Sequence, residues 1–271
     1  MDLELVSSIY DEEIVPIWSL PFARILMGEL SSPLYGSTLE LCAGTGYLAN
    51  HLVSYLGPKG RIIALEPHQG LLEVARERAA EAIRQKKVFF QHHNLRHLRF
   101  ADSVIDLVFS NLGLYHVLSV EDLLVEVIRV LKPGCRAFFT LPLEGSFQEL
   151  LSLATRFFQQ YQELDIVEYI HYLSLPLRTP AQAESLLHSV GFGDVQLQLR
   201  PFPLVFQSSD ELLNSPFIRY HFLDVWEPRL RHFTTQQVKS ELKDMLELMY
   251  GHKPIELTVQ AACLIGTKDL L

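Results

Sequence analysis

Apolar and polar positions follow two alternating periods along the first half of the chain. Short apolar runs of strand length begin near residues 38, 61, 87, 105 and 136, and helix-spaced apolar residues follow the first, second and fourth runs. Gly57-Pro58 and Pro133-Gly134 mark the ends of two of these helices. Strands that alternate with helices in this way are typical of βαβ units, which predicts a parallel sheet covered on both faces.

The second half has a different pattern, dominated by helical stretches. Residues 146–178 and 209–250 have mostly helical spacing, and a further helix is predicted to begin at Pro180. Strands near 194–206 and 255–267 are expected to complete the sheet of the first half, the second of them continuous or broken.

The predicted architecture is an α/β fold with a doubly wound, Rossmann-like sheet and helical lid insertions. Four parts are predicted. They are an N-terminal helical segment (1–35), a core (36–145), a helical insertion or lid with one further helix (146–192), and the last core strands (193–271) with a helical insertion at 209–250.

Composition narrows the functional classes. The 271 residues are 48% apolar and 20% charged, which excludes a disordered chain. The net charge of −9 gives no electrostatic reason to expect a nucleic-acid or anionic-membrane partner. Three scattered cysteines make neither a disulfide framework nor a zinc site, and no apolar run reaches the roughly 20 residues of a membrane span. The acidic N-terminus lacks a signal pattern, so we expect a cytoplasmic protein.

The segment from Glu40 to Ala49 is the most informative in the chain. It follows a strand and opens a helix. Gly44 and Gly46 let the backbone turn tightly and approach a ligand, and the free N–H groups at the start of the helix point at that ligand. Glu66 ends the next strand, about 20 residues on, where an acid typically accepts hydrogen bonds from ribose hydroxyls. The alternative is a tight turn without a ligand.

The order of the motifs resembles that of the class I S-adenosylmethionine-dependent methyltransferases. An acid precedes spaced glycines in the first motif, although Cys42 stands where the family usually has its first glycine. Three further motifs follow in order: the second-strand acid Glu66 with its helix, the fourth-strand motif at 105–111 and the turn at 130–134. This resemblance covers roughly residues 36–145, and it implies a mostly parallel sheet with a reversed last strand, for which residues 257–268 are placed.

The resemblance also implies S-adenosylmethionine as the cofactor. Glu40 and the glycines would line its methionine end, Glu66 would hold the ribose, and Asn94 would accept a hydrogen bond from the adenine amino group. For Glu40 and Glu66 the alternatives are a helix cap and a solvated strand-end charge. The full set of predicted cofactor-binding residues is Glu40, Cys42, Ala43, Gly44, Gly46, Glu66, Pro67, Asn94, Leu95, Ser110 and Asn111.

A nicotinamide enzyme is the main rival for the glycine loop, because Gly44-x-Gly46-x-x-Ala49 also satisfies the dinucleotide fingerprint. Such an enzyme would not be expected to carry Glu40 before the glycines. The sequence has no Tyr-x-x-x-Lys pair and no obvious catalytic His-Asp set. An NAD-dependent oxidoreductase is therefore the less favoured interpretation.

Methyl transfer is an in-line displacement that mainly needs positioning and exclusion of water, so the absence of a sharp catalytic motif is no objection. His116 is the candidate general base, because imidazole titrates near neutrality; the alternative is that it packs beside the cofactor or caps a helix. The segment 110–116 differs from the Asn-Pro-Pro-Tyr motif of nucleic-acid amine methyltransferases, which also disfavours a nucleic-acid substrate.

Other clusters are interpreted structurally, and no metal site is predicted. The histidines His92, His93 and His97 are interpreted as surface or strand-end residues. The lid aromatics Phe157, Phe158, Tyr161, Tyr169 and Tyr172 are interpreted as helix core, with a substrate wall as the alternative. A second cluster, Tyr220, His221, Phe222, Trp226, Arg229 and His232, could equally read a substrate or form a lid interface. Arg200, Arg219, Arg229 and Arg231 are interpreted as surface charges, with docking of an acyl-carrier partner or of a carboxylate as the alternative.

The leading hypothesis is an S-adenosylmethionine-dependent methyltransferase for a small, apolar or aromatic acceptor. The core is similar to quinone C-methyltransferases and to malonyl-carrier O-methyltransferases, and residues 144–150 resemble the latter. The alternative is a methyltransferase-like cofactor-binding or assembly protein without turnover. A carrier protein or a second copy of the chain remains a candidate partner.

Overall fold

A computed structural model describes residues 10–117, 119–174, 178–251 and 253–270, without the side chains of Tyr115, His116 and 171–174. The chain forms two compact units. The first comprises the described residues of Met1–Leu141, Thr179–Arg200 and Ala262–Leu271, and the second those of Pro142–Arg178 and Pro201–Ala261. The boundaries of the four predicted parts stay a prediction.

Seven of the nine strands in the described residues form one sheet. In chain order the strands are β1 (Ser37–Leu41), β2 (Arg61–Glu66), β3 (Val88–His92), β4 (Ile105–Asn111), β5 (Leu131–Pro142), β6 (Phe192–Leu199), β7 (Phe202–Phe206), β8 (Ile255–Val259) and β9 (Ala261–Lys268). The order in the large sheet is β3-β2-β1-β4-β5-β9-β6, in which β1 to β5 pair in parallel and β9 pairs with β6 in the antiparallel sense. The predicted doubly wound, mostly parallel sheet with a reversed last strand is confirmed.

The central position of β1 explains its sequence. All five of its residues are buried, as expected for a strand with neighbours on both sides and helices on both faces. Glu40 in β1 lies opposite Ala64 of β2 and Phe109 of β4. Because parallel strands end at the same edge, the carboxyl ends of β1, β2 and β4 converge there.

Helices cover the sheet of the first unit. Leu72, Ala75, Ala79 and Ala82 are buried, as their spacing predicted, but the helix they belong to is interrupted at Ala79. The helical segments of this unit are Tyr10–Ser19 (a π-helix), Leu20–Glu29, Tyr47–Leu52, Val53–Tyr55, Gln69–Arg78, Ala80–Arg84, Gly113–His116, Val120–Val130 and Pro180–Ser189. No helix in the described ranges is both long and apolar enough to cross a membrane.

The second unit combines helices with a two-stranded ribbon of β7 and β8, paired antiparallel. The predicted late strands therefore divide between two sheets instead of only completing the large one. Pro201, which lacks an N–H, separates β6 from β7. Gln260 separates β8 from β9, and its backbone instead bonds to Ser146 Oγ (2.9 Å) and to the Leu143 N–H (2.7 Å). The helical segments here are Gln148–Gln160, Leu164–Ser174, Ser209–Asn214, Pro216–Ile218, Arg219–Leu223, Asp224–Trp226, Glu227–Arg229 and Thr235–Tyr250.

The aromatic residues of the second unit form its core. Phe157, Phe158 and Trp226 are fully buried, with Phe158 edge-on to Trp226 at 6.1 Å between ring centroids. The interpretation as core is therefore confirmed for these three. Tyr161 is partly exposed, the Arg229 guanidinium lies 3.3 Å from the Tyr169 ring centroid, and the Tyr172 side chain is outside the described set.

The remaining predicted surface arginines are more than half exposed. Each has a carboxylate neighbour: Arg200 pairs with Glu29, Arg219 with Asp224 and Arg231 with Asp165. Solvated pairs of this kind contribute little to stability. Their interpretation as surface charges is confirmed.

Candidate functional site

Two pockets lie at the carboxyl ends of the parallel strands, both within the first unit. The first is lined by Tyr10, Val15, Ser19, Glu40, Cys42, Ala43, Gly44, Thr45, Tyr47, Leu48 and Asn111. The second, which is the larger of the two, is lined by Pro67, Asn94, Leu95, Arg96, Val117, Ser119, Asp122 and Leu123. Eight of the predicted cofactor-binding residues thus line one pocket or the other; Gly46, Glu66 and Ser110 line neither.

The glycine loop reverses direction through residues with positive φ. Cys42, Gly44 and Gly46 have φ of 56°, 57° and 70°. Cys42 therefore adopts the left-handed conformation that glycine usually supplies, at some conformational cost. Gly46 must be glycine, because a Cβ there would lie 2.8 Å from the Cβ of Ala75 and 2.9 Å from the Phe90 ring.

Gly113, which the sequence analysis did not select, is part of the support of this loop. A Cβ on Gly113 would lie 2.6 Å from the Cys42 Cβ, and the Cys42 thiol donates a weak hydrogen bond to the Gly113 carbonyl at 3.5 Å. The close approach of two backbones requires glycine. Its position shortly after the fourth strand was the available signal.

Glu40 is a buried carboxyl group with an unsatisfied oxygen. Its residue is only 2% exposed, it lines the first pocket, and its Oε2 has no hydrogen-bond partner. Burial, and secondarily the charge of Glu66, raise the pKa of Glu40 well above its usual range. That oxygen accepts no hydrogen bond from a helix N–H, so the pocket contains one carboxyl oxygen without a partner.

Glu66 holds the glycine loop and the residues after β2 through two backbone hydrogen bonds. Its Oε2 accepts the Gly44 N–H at 2.7 Å and its Oε1 accepts the His68 N–H at 2.8 Å. Burial raises the pKa of Glu66, and these two backbone hydrogen bonds oppose the rise. Glu66 is buried, so the alternative of a solvated strand-end charge is wrong.

The loop after β3 walls the second pocket. Asn94 Oδ1 accepts the Arg96 N–H at 3.3 Å, and Leu95, with φ of 61°, donates its N–H to His93 Nδ1 at 3.0 Å. His93 is only 8% exposed, and its Nε2 has no partner. His93 is thus a strand-end residue, as one of the two predicted interpretations has it, but it is not a surface residue, because its ring turns inward as the acceptor for this loop.

The other two histidines of that group agree with the surface interpretation. His92 is exposed and bonds to the Pro67 carbonyl (2.8 Å), and His97 is mostly exposed and contacts Glu126 (2.7 Å). In the part of the chain that is described, no three His, Cys, Asp or Glu side chains gather as a metal site would require.

The end of β4 holds neighbouring segments in place. Ser110 Oγ donates to the Leu41 carbonyl at 2.8 Å, so it secures β4 to β1 instead of facing a pocket. Asn111 lines the first pocket, and its Nδ2 donates to the Ser19 carbonyl at 3.0 Å. His116 ends a short 3-10 helix, but its side chain is outside the described set, and its role as a base stays a prediction.

The N-terminal segment Tyr10–Ser19 closes one side of the first pocket, which the sequence analysis did not foresee. Tyr10, Val15 and Ser19 line the pocket, and the Tyr10 hydroxyl bonds to Ser19 Oγ at 3.2 Å. Local sequence patterns report which face of a helix is apolar, but not where in the molecule that helix is placed.

Comparison with known families and curated proteins gives one consistent result. Residues 38–134, less than half of the chain, match a family model described as "Methyltransferase domain". A "Demethylmenaquinone methyltransferase" of Lactobacillus johnsonii is 35% identical over 95 residues, which are 35% of this chain and 39% of that protein. The protein of the same name from Lactiplantibacillus plantarum is 29% identical over 175 residues, 59% of this chain and 71% of the relative. This chain thus spans less than two thirds of the first relative.

The fold has counterparts among solved structures. A phosphoethanolamine N-methyltransferase 2 of Haemonchus contortus, in complex with phosphomonomethylethanolamine and S-adenosylhomocysteine, has a TM-score of 0.57 at 16% identity. The superposition covers 98% of this chain and 58% of that one. At this identity the likeness concerns the fold alone.

Proposed function

We propose that this chain, whose residues 38–134 match a methyltransferase domain, is a class I S-adenosylmethionine-dependent methyltransferase that transfers a methyl group from that cofactor to a ring carbon of a quinone-type acceptor. The acceptor class is supported by the names of the relatives. One observation carries the cofactor site: the unsatisfied Glu40 carboxyl oxygen at a pocket beside the glycine loop.

The chemistry of Glu40 fits the methionine end of the cofactor. A buried carboxyl group without a partner is costly, and a nearby cation removes that cost by stabilising its ionised form. S-adenosylmethionine carries positive charge on its amino group and its sulfonium. Glu40 would therefore become ionised when the cofactor occupies the pocket, with the glycine loop passing close beside it.

Glu66 and the loop after β3 fit the nucleoside end. The two backbone N–H groups that bind Glu66 fix the orientation of its carboxylate, and each oxygen keeps a lone pair for a ribose hydroxyl. Asn94, Leu95 and Pro67 line the neighbouring pocket, where Asn94 Oδ1 can accept from the adenine amino group. The residues present thus fit the cofactor at both ends.

When bound, the cofactor supplies an activated methyl group, so the protein mainly orients the acceptor and excludes water. Cys42 lines the same pocket, and its sulfur must not take the methyl group in place of the substrate. Burial, followed by the charges of Glu66 and Glu40, raises the pKa of Cys42 to about 12. The thiol therefore stays protonated and a poor nucleophile at neutral pH.

The acceptor is expected to react in its reduced form. A ring carbon that takes up a methyl group must be electron-rich, as in a hydroquinone, and the carbon then loses its proton. Incubation with methyl-labelled S-adenosylmethionine and a demethylated naphthoquinol should label the quinol, and the oxidised quinone should stay unlabelled. Transfer to a carboxylic acid but to no quinol would refute the proposed acceptor and favour O-methylation.

A further inference from the structure

The segment Tyr10–Ser19 is anchored across the first pocket from one end to the other. Near its start, the Asp11 carboxylate accepts the Thr45 hydroxyl at 2.6 Å; at its end, the Ser19 carbonyl accepts Asn111 Nδ2 at 3.0 Å. Trp18 on this segment is buried and packs edge-on against Phe22 at 4.9 Å. The segment is therefore a packed cover of the pocket.

Arg78 completes the contact between this cover and the glycine loop. One guanidinium nitrogen donates to both the carbonyl and the hydroxyl oxygen of Thr45, each at 2.9 Å, and the other pairs with Asp11. The Thr45 hydroxyl thus donates to Asp11 while it accepts from Arg78. Thr45 lies between the two glycines of the loop and is 2% exposed.

These three residues come from separate parts of the sequence, namely the cover, the loop and the end of the Gln69–Arg78 helix. The Asp11 and Arg78 side chains are 18% and 25% exposed, so their ion pair is partly shielded from water. Charge-assisted hydrogen bonds in such a setting are stronger than neutral ones and are specific in geometry. Of the three residues, Thr45 lines the first pocket.

We propose that Asp11 and Arg78 are positioning residues that clamp the cover onto Thr45, and that release of this clamp controls exchange of the cofactor. The proposal rests on the proposed function for the identity of the ligand. It assigns neither residue a contact with the reacting atoms. The clamp fixes Thr45, and through it the glycine loop, while it keeps the cover closed.

The test has one arm without cofactor and one with it. The informative variants are Asp11→Asn and Arg78→Ala, and the matched control is Arg84→Ala, which removes an exposed pair with Glu81 on the next helix. In a Trp226→Phe background, acrylamide quenching reports the exposure of Trp18 alone. Both clamp variants should increase this quenching in the cofactor-free protein, and the control should leave it unchanged.

With cofactor product, both clamp variants should release S-adenosylhomocysteine about tenfold faster in a stopped-flow displacement experiment, consistent with the loss of a charge-assisted hydrogen bond. The KM for the cofactor should rise while kcat changes by less than about twofold. Thr45→Val, which removes the hydroxyl, should increase Trp18 quenching as the clamp variants do, and Thr45→Ser, which keeps the hydroxyl, should not.

The result that overturns the proposal is Trp18 quenching and product release in Asp11→Asn equal to those of the parent. This variant preserves the shape of the side chain, so it decides the matter even if Arg78→Ala fails to fold. If the parent does not bind S-adenosylhomocysteine, the proposed function fails, and Trp18 quenching alone then decides whether the clamp holds the cover.

Discussion

The buried Glu40 makes the stability of the cofactor-free protein depend on pH in a defined direction. Its pKa is raised in the folded chain, so the folded state holds a proton that the unfolded state releases above its usual carboxyl pKa. The stability contribution is therefore complete below the unfolded pKa of about 4.5 and is lost as pH rises towards the folded pKa. The loss is about 1.4 kcal/mol per pH unit in that window.

Glu40→Gln removes this titration and keeps the shape of the side chain. The free energy of unfolding of the parent, relative to the variant, should fall by up to about 1.4 kcal/mol for each pH unit above the usual carboxyl range. Urea unfolding of both proteins at several pH values between 5 and 8 measures the difference, in which other titrating groups cancel. Glu73→Gln, at an exposed helix position, is the control for the same substitution outside the site.

Parallel pH profiles for the parent and Glu40→Gln would refute the reasoning, because they would mean that Glu40 ionises normally in the folded protein. The same variant should bind S-adenosylmethionine at least about tenfold more weakly, since it loses the charge that faces the cofactor. If binding weakens but the pH profiles stay parallel, Glu40 would still belong to the cofactor site, but it would not be neutral in the cofactor-free protein.

Three further outcomes follow from the geometry of the site and its surroundings. Gly113→Ala should lower the free energy of unfolding by about 2 kcal/mol, because the new Cβ would lie 2.6 Å from the Cβ of Cys42. Gly28→Ala, in an open helix position, should raise the free energy of unfolding by about 0.5 kcal/mol, and urea unfolding measures both. Mass spectrometry after alkylation at pH 8 should show Cys135 labelled before Cys42, because the pKa of both thiols is raised but that of Cys42 is raised further, to about 12, and equal rates would contradict this difference. Glu126→Gln should lower the free energy of unfolding by about 2 kcal/mol at pH 7, because the adjacent Arg129 guanidinium lowers the pKa of the Glu126 carboxyl to about 2. This difference between parent and variant should vanish as pH falls from about 4.5 towards about 2. A difference independent of pH would contradict the ion pair.

The sheet could be predicted from the sequence because its information is local. Each parallel strand is a short apolar run, and β1, β2 and β4 are each followed by helical residues. The motif from Glu40 to Gly46 lies where the strand order reverses, which is the position at which open α/β sheets bind ligands. The division of the late strands was harder to predict. It depends on the break at Pro201, which lacks an N–H, and on the backbone hydrogen bonds of Gln260, and apolar periodicity reports neither.

The candidate site was predictable where residues follow strands, and not where distant segments meet. Glu40 and Glu66 were selected from their spacing, and the structure buries both. Asp11, Thr45 and Arg78 were missed, since no local spacing connects them. The inward orientation of His93 was also missed, because adjacent strand-end histidines are usually exposed.

The most direct test of the central claim is calorimetric titration of the purified protein with S-adenosylhomocysteine, with NADH as the control ligand and Glu40→Gln as the control protein. The account predicts micromolar binding of S-adenosylhomocysteine to the parent, clearly weaker binding to the variant, and no binding of NADH. Binding of NADH in place of S-adenosylhomocysteine, or of neither, would contradict the assignment of the pocket as a methyl-donor site.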